Sequence, residues 1–372
     1  MNTNHEPIRF LALDREFELH RDEYLEAMTL CLEKGQVVGG EETEALEADI
    51  ATATDRKHAI TVSSGTDALL IASTALGVDD QWRVLVPAYS FIATASTMRH
   101  RTPNLHFIDV DDQYHLDLKL TEEHQSENQN LLMVPVGLYG NPLDHERFQS
   151  QADRIGAVIL EDAAQSLGSS LNGHAGGSLG AISTLSFSPT KTVPAFGNLG
   201  AITTDDDELA DRCRTIRKHG KSAAHLPAEH LGYNGMPSTM LASQLRVTFR
   251  HLESRQARRD EIAAAYLEAI SGNPLVSPPP TRESGVHNWH KFVIRCSARD
   301  QAKQHFAHHG IQTQAHYPLP LSKETRLNSA STAETPRSIE FSRTSLTLPM
   351  YPSLTDSEVE RICKAIDSFQ GS

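Results

Sequence analysis

Several features are scarce in this chain of 372 residues. Its four cysteines stand far apart and form no Cys-x-x-Cys pair, which predicts reduced thiols and not a disulfide framework or a zinc site. No apolar run reaches the roughly 18 residues that a membrane span needs. The first residues are too charged for a signal peptide. We therefore expect a cytoplasmic protein with no membrane partner.

Positive charge is also in short supply. Lysine and arginine number 34 against 48 acidic residues, a net charge of −14, which argues against a nucleic-acid partner because such proteins need a basic face. The basic residues that do cluster alternate with acids, which predicts a solvated helix face. They are Arg250, Arg255, Arg258 and Arg259.

Two common enzyme signatures are incomplete. The stretch from His219 to Ser222 ends like a phosphate-binding Walker loop, but Thr215 occupies the position of the first glycine. The 19 histidines include no His-Glu-x-x-His motif, so we expect no catalytic metal.

The hydrophobic pattern predicts an α/β fold. A helical pattern covers residues 17–51, and β-branched or aliphatic runs then alternate with helical segments, as in a mostly parallel sheet covered on both faces. The predicted strands are 58–62, 83–86, 105–110, 131–136, 157–160, 182–187 and 200–204, and the predicted helices are 67–76, 92–100 and 144–154.

The rest of the chain predicts a smaller α/β unit. A long helix at 238–271 is followed by a proline-rich loop, a strand at 289–296 and helices at 298–309 and 356–369. We therefore predict two domains. Residues 1–245 form an N-terminal segment plus a large domain, and residues 246–372 form a small C-terminal domain.

A lysine and an acid then suggest a cofactor. Lys191 lies in a Ser/Thr-rich turn, and Asp162 follows an apolar strand. Pyridoxal phosphate (PLP) needs an amine to form a Schiff base and a carboxylate to keep its ring nitrogen protonated. At about 4 Å and an effective dielectric of 20, that ion pair is worth about 4 kcal/mol. Glu161 is the rival acid, although strand alternation sends it to the other face. Either acid could instead cap a helix.

The cofactor's phosphate needs a cradle, and Gly65, Thr66 and Asp67 lie between a predicted strand and a predicted helix. The free N–H groups and dipole of a helix start favour an anion. An ordinary helix cap is the alternative.

At this point the chain resembles PLP-dependent sugar aminotransferases of the DegT–StrS type over nearly its whole length. The resemblance rests on ordered blocks at residues 62–69, 86–95, 161–165, 186–191, 232–234 and 348–352. It implies a fold-type I transferase with a mostly parallel central sheet and a smaller C-terminal α/β domain.

The resemblance also assigns roles to single residues. Lys191 would hold PLP and move the proton as general acid and base, and Asp162 would pair with the ring nitrogen. Ser186 would bind the phosphate, Phe91 would stack on the ring, and Gln165 would lie near the PLP hydroxyl. Without the resemblance, these are a surface lysine, a helix cap, a strand residue, a core phenylalanine and an exposed helix residue.

Further blocks imply partners. Asn234, in Gly-Tyr-Asn, matches a segment that reaches the phosphate of the partner's PLP, which implies a homodimer with shared active sites. His316 and Tyr317 match a substrate-side loop. A Gly-Asn turn and a strand-ending turn are the alternatives.

The implied reaction is transfer of an amino group from L-glutamate to a keto-sugar, nucleotide-linked, at C3 or C4. The alternatives are a keto-cyclitol or other non-nucleotide ketone as acceptor, and a non-catalytic PLP-binding regulator. The chain departs from the family at several positions. Gly137 stands where a histidine is common and Met236 where an arginine is common, so other cations would have to meet a diphosphate. Candidates are Arg217, Lys218 and Lys221.

Overall fold

A seven-stranded sheet forms the centre of the protein. The computed structural model describes residues 6–125, 130–223, 225–327 and 334–371. The strand order is β1-β9-β8-β5-β4-β2-β3, and β9 alone runs against the others. The strands are β1 His58–Val62, β2 Arg83–Pro87, β3 Leu105–Ile108, β4 Leu131–Met133, β5 Ala157–Asp162, β8 Ile182–Ser186 and β9 Gly200–Thr204. The predicted mostly parallel sheet is confirmed.

Helices cover both faces of this sheet. They are α3 Glu41–Ala53, α4 Gly65–Ala75, α5 Ile92–Arg99, α6 His145–Ile155, α7 Asp207–Ile216 and α8 Thr239–Arg250. Local sequence sets several of their ends. Ser64 accepts a hydrogen bond from the Asp67 N–H at the start of α4, and α6 ends at Gly156, whose φ is 70°.

A smaller C-terminal unit packs its own core. It contains a two-stranded antiparallel sheet, β11 Phe292–Arg295 with β12 Ser345–Leu348, and the helices α9 Leu252–Ser271, α10 Arg299–His308, α11 Pro336–Thr344 and α12 Asp356–Asp367. Ile8 and Ala12, from the start of the chain, belong to the same hydrophobic cluster. A separate three-stranded sheet joins β6 Ser170–Leu171, β7 His174–Ala175 and β10 Gly285–Val286.

Two predicted helices are divided. The pattern at 17–51 becomes α1 Leu13–Leu19, α2 Arg21–Glu33 and α3. His20, with a φ of −139°, separates α1 from α2. Gly35, with a φ of 65°, follows α2, and Gly39 and Gly40, with φ values of 73° and 83°, precede α3, so no right-handed helix continues through this stretch. The pattern at 238–271 becomes α8 and α9, separated at His251, whose ψ of 14° is not helical. The domain boundary at residues 245/246 remains a prediction, and it lies within α8.

The prediction of a solvated basic helix face is wrong for two of its four arginines. Arg255 and Arg259 are buried. Arg255 pairs with Glu16 at 2.7 Å, and Arg259 donates to the carbonyl of Trp289 at 2.8 Å. Burial, with Arg255 nearby, lowers the pKa of Arg259 to about 9. Glu16, which pairs with Arg255, comes from the N-terminal helix, so packing of that helix against α9 supplies a partner that the local sequence does not contain.

Within the described residues, no helix combines the length and the apolar character needed to cross a membrane.

Candidate active site

The carboxyl ends of the parallel strands bring the predicted site residues to one edge. Asp162 ends β5 and is paired with Thr184 of β8, and β8 ends at Ser186. Ser186 pairs with Gly200 of β9, which also pairs with Val62 at the end of β1. Because ligands collect at this edge of α/β sheets, the topology places a site here.

Lys191 lies in the loop between β8 and β9. Its N–H donates to the Ser188 carbonyl at 2.9 Å, and its side chain is half-buried. Burial lowers the pKa of Lys191 to about 8, and the negative charge of Asp162 opposes this shift. The lysine is therefore not a freely solvated surface residue, and its amine loses a proton more readily than an ordinary lysine does.

Asp162 is a buried carboxylate with neutral hydrogen-bond donors. Its Oδ2 accepts from the Thr94 hydroxyl at 2.6 Å, and its Oδ1 accepts from the Ala164 N–H at 3.2 Å. Burial raises the pKa of Asp162, while Thr94 and Lys191 lower it. The carboxylate lacks a bound cation among the described residues, although Lys191 is close enough to act on its charge.

Glu161 faces the other way, as strand alternation predicts. Its carboxylate accepts from the N–H groups of Gly177 and Leu179 and from the Ser183 hydroxyl. It is fully enclosed by these donors, and burial raises its pKa. Glu161 is thus a structural acid that ties the loop at 177–179 to β5.

The start of α4 lies directly against Ser186. A Cβ added to Gly65 would lie 2.7 Å from the Ser186 Cβ, and one added to Gly200 would lie 2.5 Å from the Ser64 carbonyl carbon. Thr66 is exposed in the first turn. Asp67 turns its carboxylate toward the hydroxyls of Ser63 and Ser64. The result is a tight concave turn with free backbone N–H groups, which suits a phosphate.

Phe91 and Gln165 do not match the alternatives to their cofactor roles, which were a core phenylalanine and an exposed helix residue. Phe91 precedes α5 and is 50% exposed, so it is not a core residue. Gln165 is buried and lies outside any helix. Its Oε1 accepts from the Tyr139 N–H at 2.8 Å, and its Nε2 donates to the Tyr317 hydroxyl at 3.3 Å. Tyr317 lies 6.1 Å from Phe91, ring centre to ring centre.

The loop at His316 and Tyr317 is held by buried tyrosines. The hydroxyl of Tyr89 donates to the His316 carbonyl at 2.7 Å and accepts from the Tyr317 N–H. The hydroxyl of Tyr139 also donates to the His316 carbonyl. His316 Nδ1 lies 2.8 Å from the Thr347 hydroxyl. Burial lowers the pKa of His316 to about 3, helped by nearby lysines. This histidine is therefore neutral.

Asn234 is exposed at the rim. It forms an isolated antiparallel bridge with Lys218, and the carbonyl of the next residue, Gly235, accepts from the Ser63 N–H at 2.9 Å. Gly232 packs against Gly220 so closely that no side chain fits between them. The Gly232 contact joins the Gly-Tyr-Asn segment to the loop after α7, and the Ser63 hydrogen bond joins it to the β1–α4 turn.

Arg217 is not available to a substrate diphosphate, and the expectation that it could serve is wrong. It is buried and pairs with Glu47 at 2.6 Å, while also donating to the Thr61 carbonyl at 2.6 Å. Lys218 is exposed and Lys221 is half-exposed. The departure at Gly137 also has a local reason, because the Ser166 side chain fills the space that a larger residue would need.

Several residues of the site escaped sequence reasoning. Thr94 lies one helical turn after Phe91, a spacing that could have revealed it. Tyr89 and Tyr139 gave no signal, since buried tyrosines have no local signature. Lys291 is a buried lysine whose charge environment includes Lys191.

Away from this edge, three side chains could hold a metal ion: His20, Glu23 and His251. The two imidazoles are stacked at 3.6 Å with an interplanar angle of 10°. Since a metal lies in the plane of each imidazole that binds it, parallel rings at this separation cannot both bind one ion well. We therefore assign no metal to this cluster.

The residues at the sheet edge fit PLP. The turn at Gly65 suits its phosphate, the buried carboxylate of Asp162 suits a protonated ring nitrogen, the exposed ring of Phe91 offers a stacking face, and Lys191 offers the amine.

Comparison with known proteins supports this fit. Residues 19–367 match the model of the DegT/DnrJ/EryC1/StrS aminotransferase family. A pleiotropic regulatory protein of Geobacillus stearothermophilus is 34% identical over 97% of this chain and 98% of its own. A dTDP-3-amino-3,4,6-trideoxy-alpha-D-glucose transaminase of Streptomyces venezuelae is 34% identical, covering 96% of this chain and 95% of the relative.

The fold agrees. The crystal structure of S. venezuelae DesV in complex with a ketimine intermediate has a TM-score of 0.93 and 32% identity, with 98% of each chain covered. The predicted fold-type I architecture is therefore confirmed, together with the predicted cofactor class. The chain belongs to the DegT/DnrJ/EryC1/StrS aminotransferase family and is a PLP-dependent aminotransferase.

Proposed function

We propose that this enzyme moves the amino group of L-glutamate to a nucleotide-linked keto-sugar. The observation that carries the proposal is that Lys191 and the buried Asp162 lie together at the carboxyl edge of the sheet, near enough for each to act on the other's charge. Relatives over the full length act, by name, on nucleotide-linked amino sugars. When bound, PLP supplies an electron sink for the carbanion that forms as the donor loses its α-proton.

Lys191 binds the cofactor and then moves the proton. Its pKa of about 8 leaves a useful fraction of neutral amine near physiological pH, so it can accept the proton from the donor's Cα. The same amine, once protonated, can deliver that proton to C4′ of the cofactor. Because Lys191 is partly buried and near the Asp162 carboxylate, its amine can both accept and release the proton.

Asp162 keeps the ring nitrogen protonated. Thr94 fixes one carboxylate oxygen and the Ala164 N–H fixes the other, so the acid cannot rotate away. A cation that replaces water at this buried carboxylate stabilises its charged form, which burial alone disfavours. The acid and the ring nitrogen therefore stabilise each other's charge.

The phosphate is bound by the start of α4 and the end of β8. Gly65 and Thr66 offer N–H groups and a hydroxyl, and Ser186 offers a second hydroxyl. Asp67 contributes through its backbone, because its carboxylate is engaged with Ser63 and Ser64. Phe91 would stack on the ring, and Gln165, which Tyr139 and Tyr317 hold in place, would lie near the ring hydroxyl.

The substrate side is formed by His316 and Tyr317. Thr347 holds the neutral imidazole of His316, and Tyr89 holds the backbone of Tyr317. Both side chains can therefore offer fixed hydrogen bonds to a sugar. For the diphosphate, Lys218 and Lys221 remain candidates on the neighbouring loop, while Arg217 does not.

We further propose a homodimer in which Asn234 reaches the partner's phosphate. Asn234 is exposed, and exposed apolar side chains on α2 and the loop after it offer a surface to bury: Leu25, Leu30, Leu32, Val37 and Val38. Mixing an inactive Lys191→Ala chain with an inactive Asn234→Ala chain should restore activity through one intact site in each heterodimer. If Asn234→Ala alone keeps full activity and PLP affinity, the shared site is wrong.

We also propose a division into residues 1–245 and 246–372, and a cytoplasmic location. One hydrophobic cluster consists mainly of residues of the C-terminal unit and another lies around the strands of the large sheet, which supports the division. The four cysteines are free, which suits a reducing compartment.

The reaction is tested by half-reactions. The PLP form should convert to the pyridoxamine form on addition of L-glutamate, and a nucleotide-linked keto-sugar should convert it back. Return with a free keto-cyclitol, and with no nucleotide-linked sugar, would refute the acceptor. If the protein binds PLP but no amino donor converts it to the pyridoxamine form, the protein is a regulator, which is the class named for the G. stearothermophilus relative.

A further inference from the structure

A second buried lysine, Lys291, lies beside the proposed site and has no part in the mechanism above. It is 8% exposed and immediately precedes β11, and its N–H donates to the Tyr139 carbonyl at 3.2 Å. Its ammonium lies 5.4 Å from the ring centre of Phe10. Phe10 in turn stacks on His316 at 5.7 Å. Lys291 is therefore connected to the substrate-side loop.

The ammonium of Lys291 lacks an anion in the part of the chain that the structure describes. It forms no ion pair and no side-chain hydrogen bond there, and its cation–π contact with Phe10 is a weak substitute. Arg217 and Arg255 are paired with Glu47 and Glu16, and Arg259, which has no ion pair among the described residues either, donates to two backbone carbonyls. A buried unpaired charge is costly, so a chain that retains one has a use for it.

The surroundings of Lys291 are positive. The groups that act on its charge are Lys191 and Arg259, and it acts in turn on His290 and His316. Burial, followed by these cations, lowers the pKa of Lys291 to about 7. No carboxylate appears among these neighbours. A group of cations of this kind, within electrostatic reach of Lys191, attracts an anion.

We infer that Lys291 binds the α-carboxylate of the amino donor. The α-carboxylate is one bond from the Cα whose proton Lys191 moves, so it must lie close to Lys191. The neighbouring groups are less suited, since Arg259 donates to the carbonyls of Trp289 and Met350, and His316 is neutral with its Nδ1 at the Thr347 hydroxyl. This inference rests on the proposed transamination and names the residue that selects an amino-acid donor.

The test uses the PLP-loaded enzyme and compares L-glutamate with two analogues. 4-Aminobutyrate is L-glutamate without its α-carboxylate, and 2-methyl-L-glutamate keeps that carboxylate but has no α-proton to lose. Binding is measured by the change in cofactor absorbance, independently of turnover. The variants are Lys291→Met and Lys291→Arg. Lys303→Met, at an exposed position on α10, is the matched control.

In Lys291→Met, binding of L-glutamate and of 2-methyl-L-glutamate should weaken about 10- to 100-fold, the loss expected for one charge-assisted hydrogen bond. Binding of 4-aminobutyrate, PLP retention and the reaction of the pyridoxamine form with the keto-sugar should be unchanged. Lys291→Arg should recover part of the loss, and Lys303→Met should match the wild type.

Equal weakening of all three ligands, or of none, would overturn the assignment. A defect confined to the keto-sugar half-reaction would instead place the bound anion on the acceptor and would also overturn it. If 2-methyl-L-glutamate binding depends on Lys291 while L-glutamate never converts the cofactor, the inference stands and the proposed reaction fails.

Discussion

Replacing Asp162 by asparagine removes one charge and little else. The side chain keeps its size, its oxygen can still accept from a neighbour, and Thr94 can turn its hydroxyl to meet the new amide. Thr94 Oγ1 also lies 3.0 Å from the Ser90 hydroxyl, so it has an alternative partner. We therefore expect Asp162→Asn to fold and to retain some PLP while losing most transamination.

The magnitude follows from the charge. An acid and a protonated ring nitrogen about 4 Å apart attract each other by about 4 kcal/mol at an effective dielectric of 20. Since about 1.4 kcal/mol changes a rate or an equilibrium tenfold, loss of this pair should slow conversion by L-glutamate by about 1000-fold. The assay is the rate at which the absorbance of the PLP form disappears after L-glutamate is added.

Without PLP, Asp162→Asn should not impair folding stability, in contrast to its effect on the reaction. Burial raises the folded-state pKa of Asp162 above the 3.8 of an exposed aspartate. For an acid with a raised pKa, stability is lost as pH rises from the unfolded value through the folded one. At neutral pH, cofactor-free Asp162→Asn should therefore be at least as stable to urea as the wild type.

Glu161→Gln is the matched control. This acid is one residue away and equally buried, but it binds the loop at Gly177 and Leu179 and faces away from the site. It should affect stability, not the cofactor chemistry. Near-normal transamination in Asp162→Asn, or an equal loss in Glu161→Gln, would refute the role of Asp162.

Further predictions concern the cradle, the lysines and the core. Gly65→Ala should weaken PLP binding by more than about tenfold in a spectroscopic titration, because its Cβ would lie 2.7 Å from that of Ser186, while Gly272→Ala, whose nearest neighbour would be at 3.6 Å, should not. Affinity for L-glutamate should fall as pH rises above about 7, where Lys291 loses its charge, and Lys291→Met should show no such slope in the same titration. Arg217→Met should lower the free energy of unfolding in urea by about 3 kcal/mol, because the partly buried Glu47 carboxylate loses its cation and keeps only the Thr61 donors.

Local patterns were enough for much of the fold. Strands β1 and β9 begin and end where alternation and β-branched residues predict, and α4, α5 and α6 lie within two residues of their predicted limits. These elements agree with the sequence because period and capping are properties of neighbouring residues. The break at His251 was missed because it occurs without glycine or proline, where α8 meets the His20 ring.

By itself, the sequence determined which residues are the candidates for the chemistry, and their roles stay predictions. Lys191 and Asp162 follow strands, and strands of a parallel sheet end at one edge, so their meeting is a consequence of topology that the chain order already encodes. The family resemblance narrowed their roles further, since it fixes Asp162 over Glu161.

Only the tertiary structure decided burial and pairing. Arg217 pairs with Glu47 and is buried, and Gln165 contacts Tyr139 and Tyr317. Lys291 is buried without an anionic partner among the residues that the structure describes. Desolvation and pairing depend on elements that are distant in sequence and packed against each other, so the pKa of a buried side chain cannot be read from its neighbours along the chain.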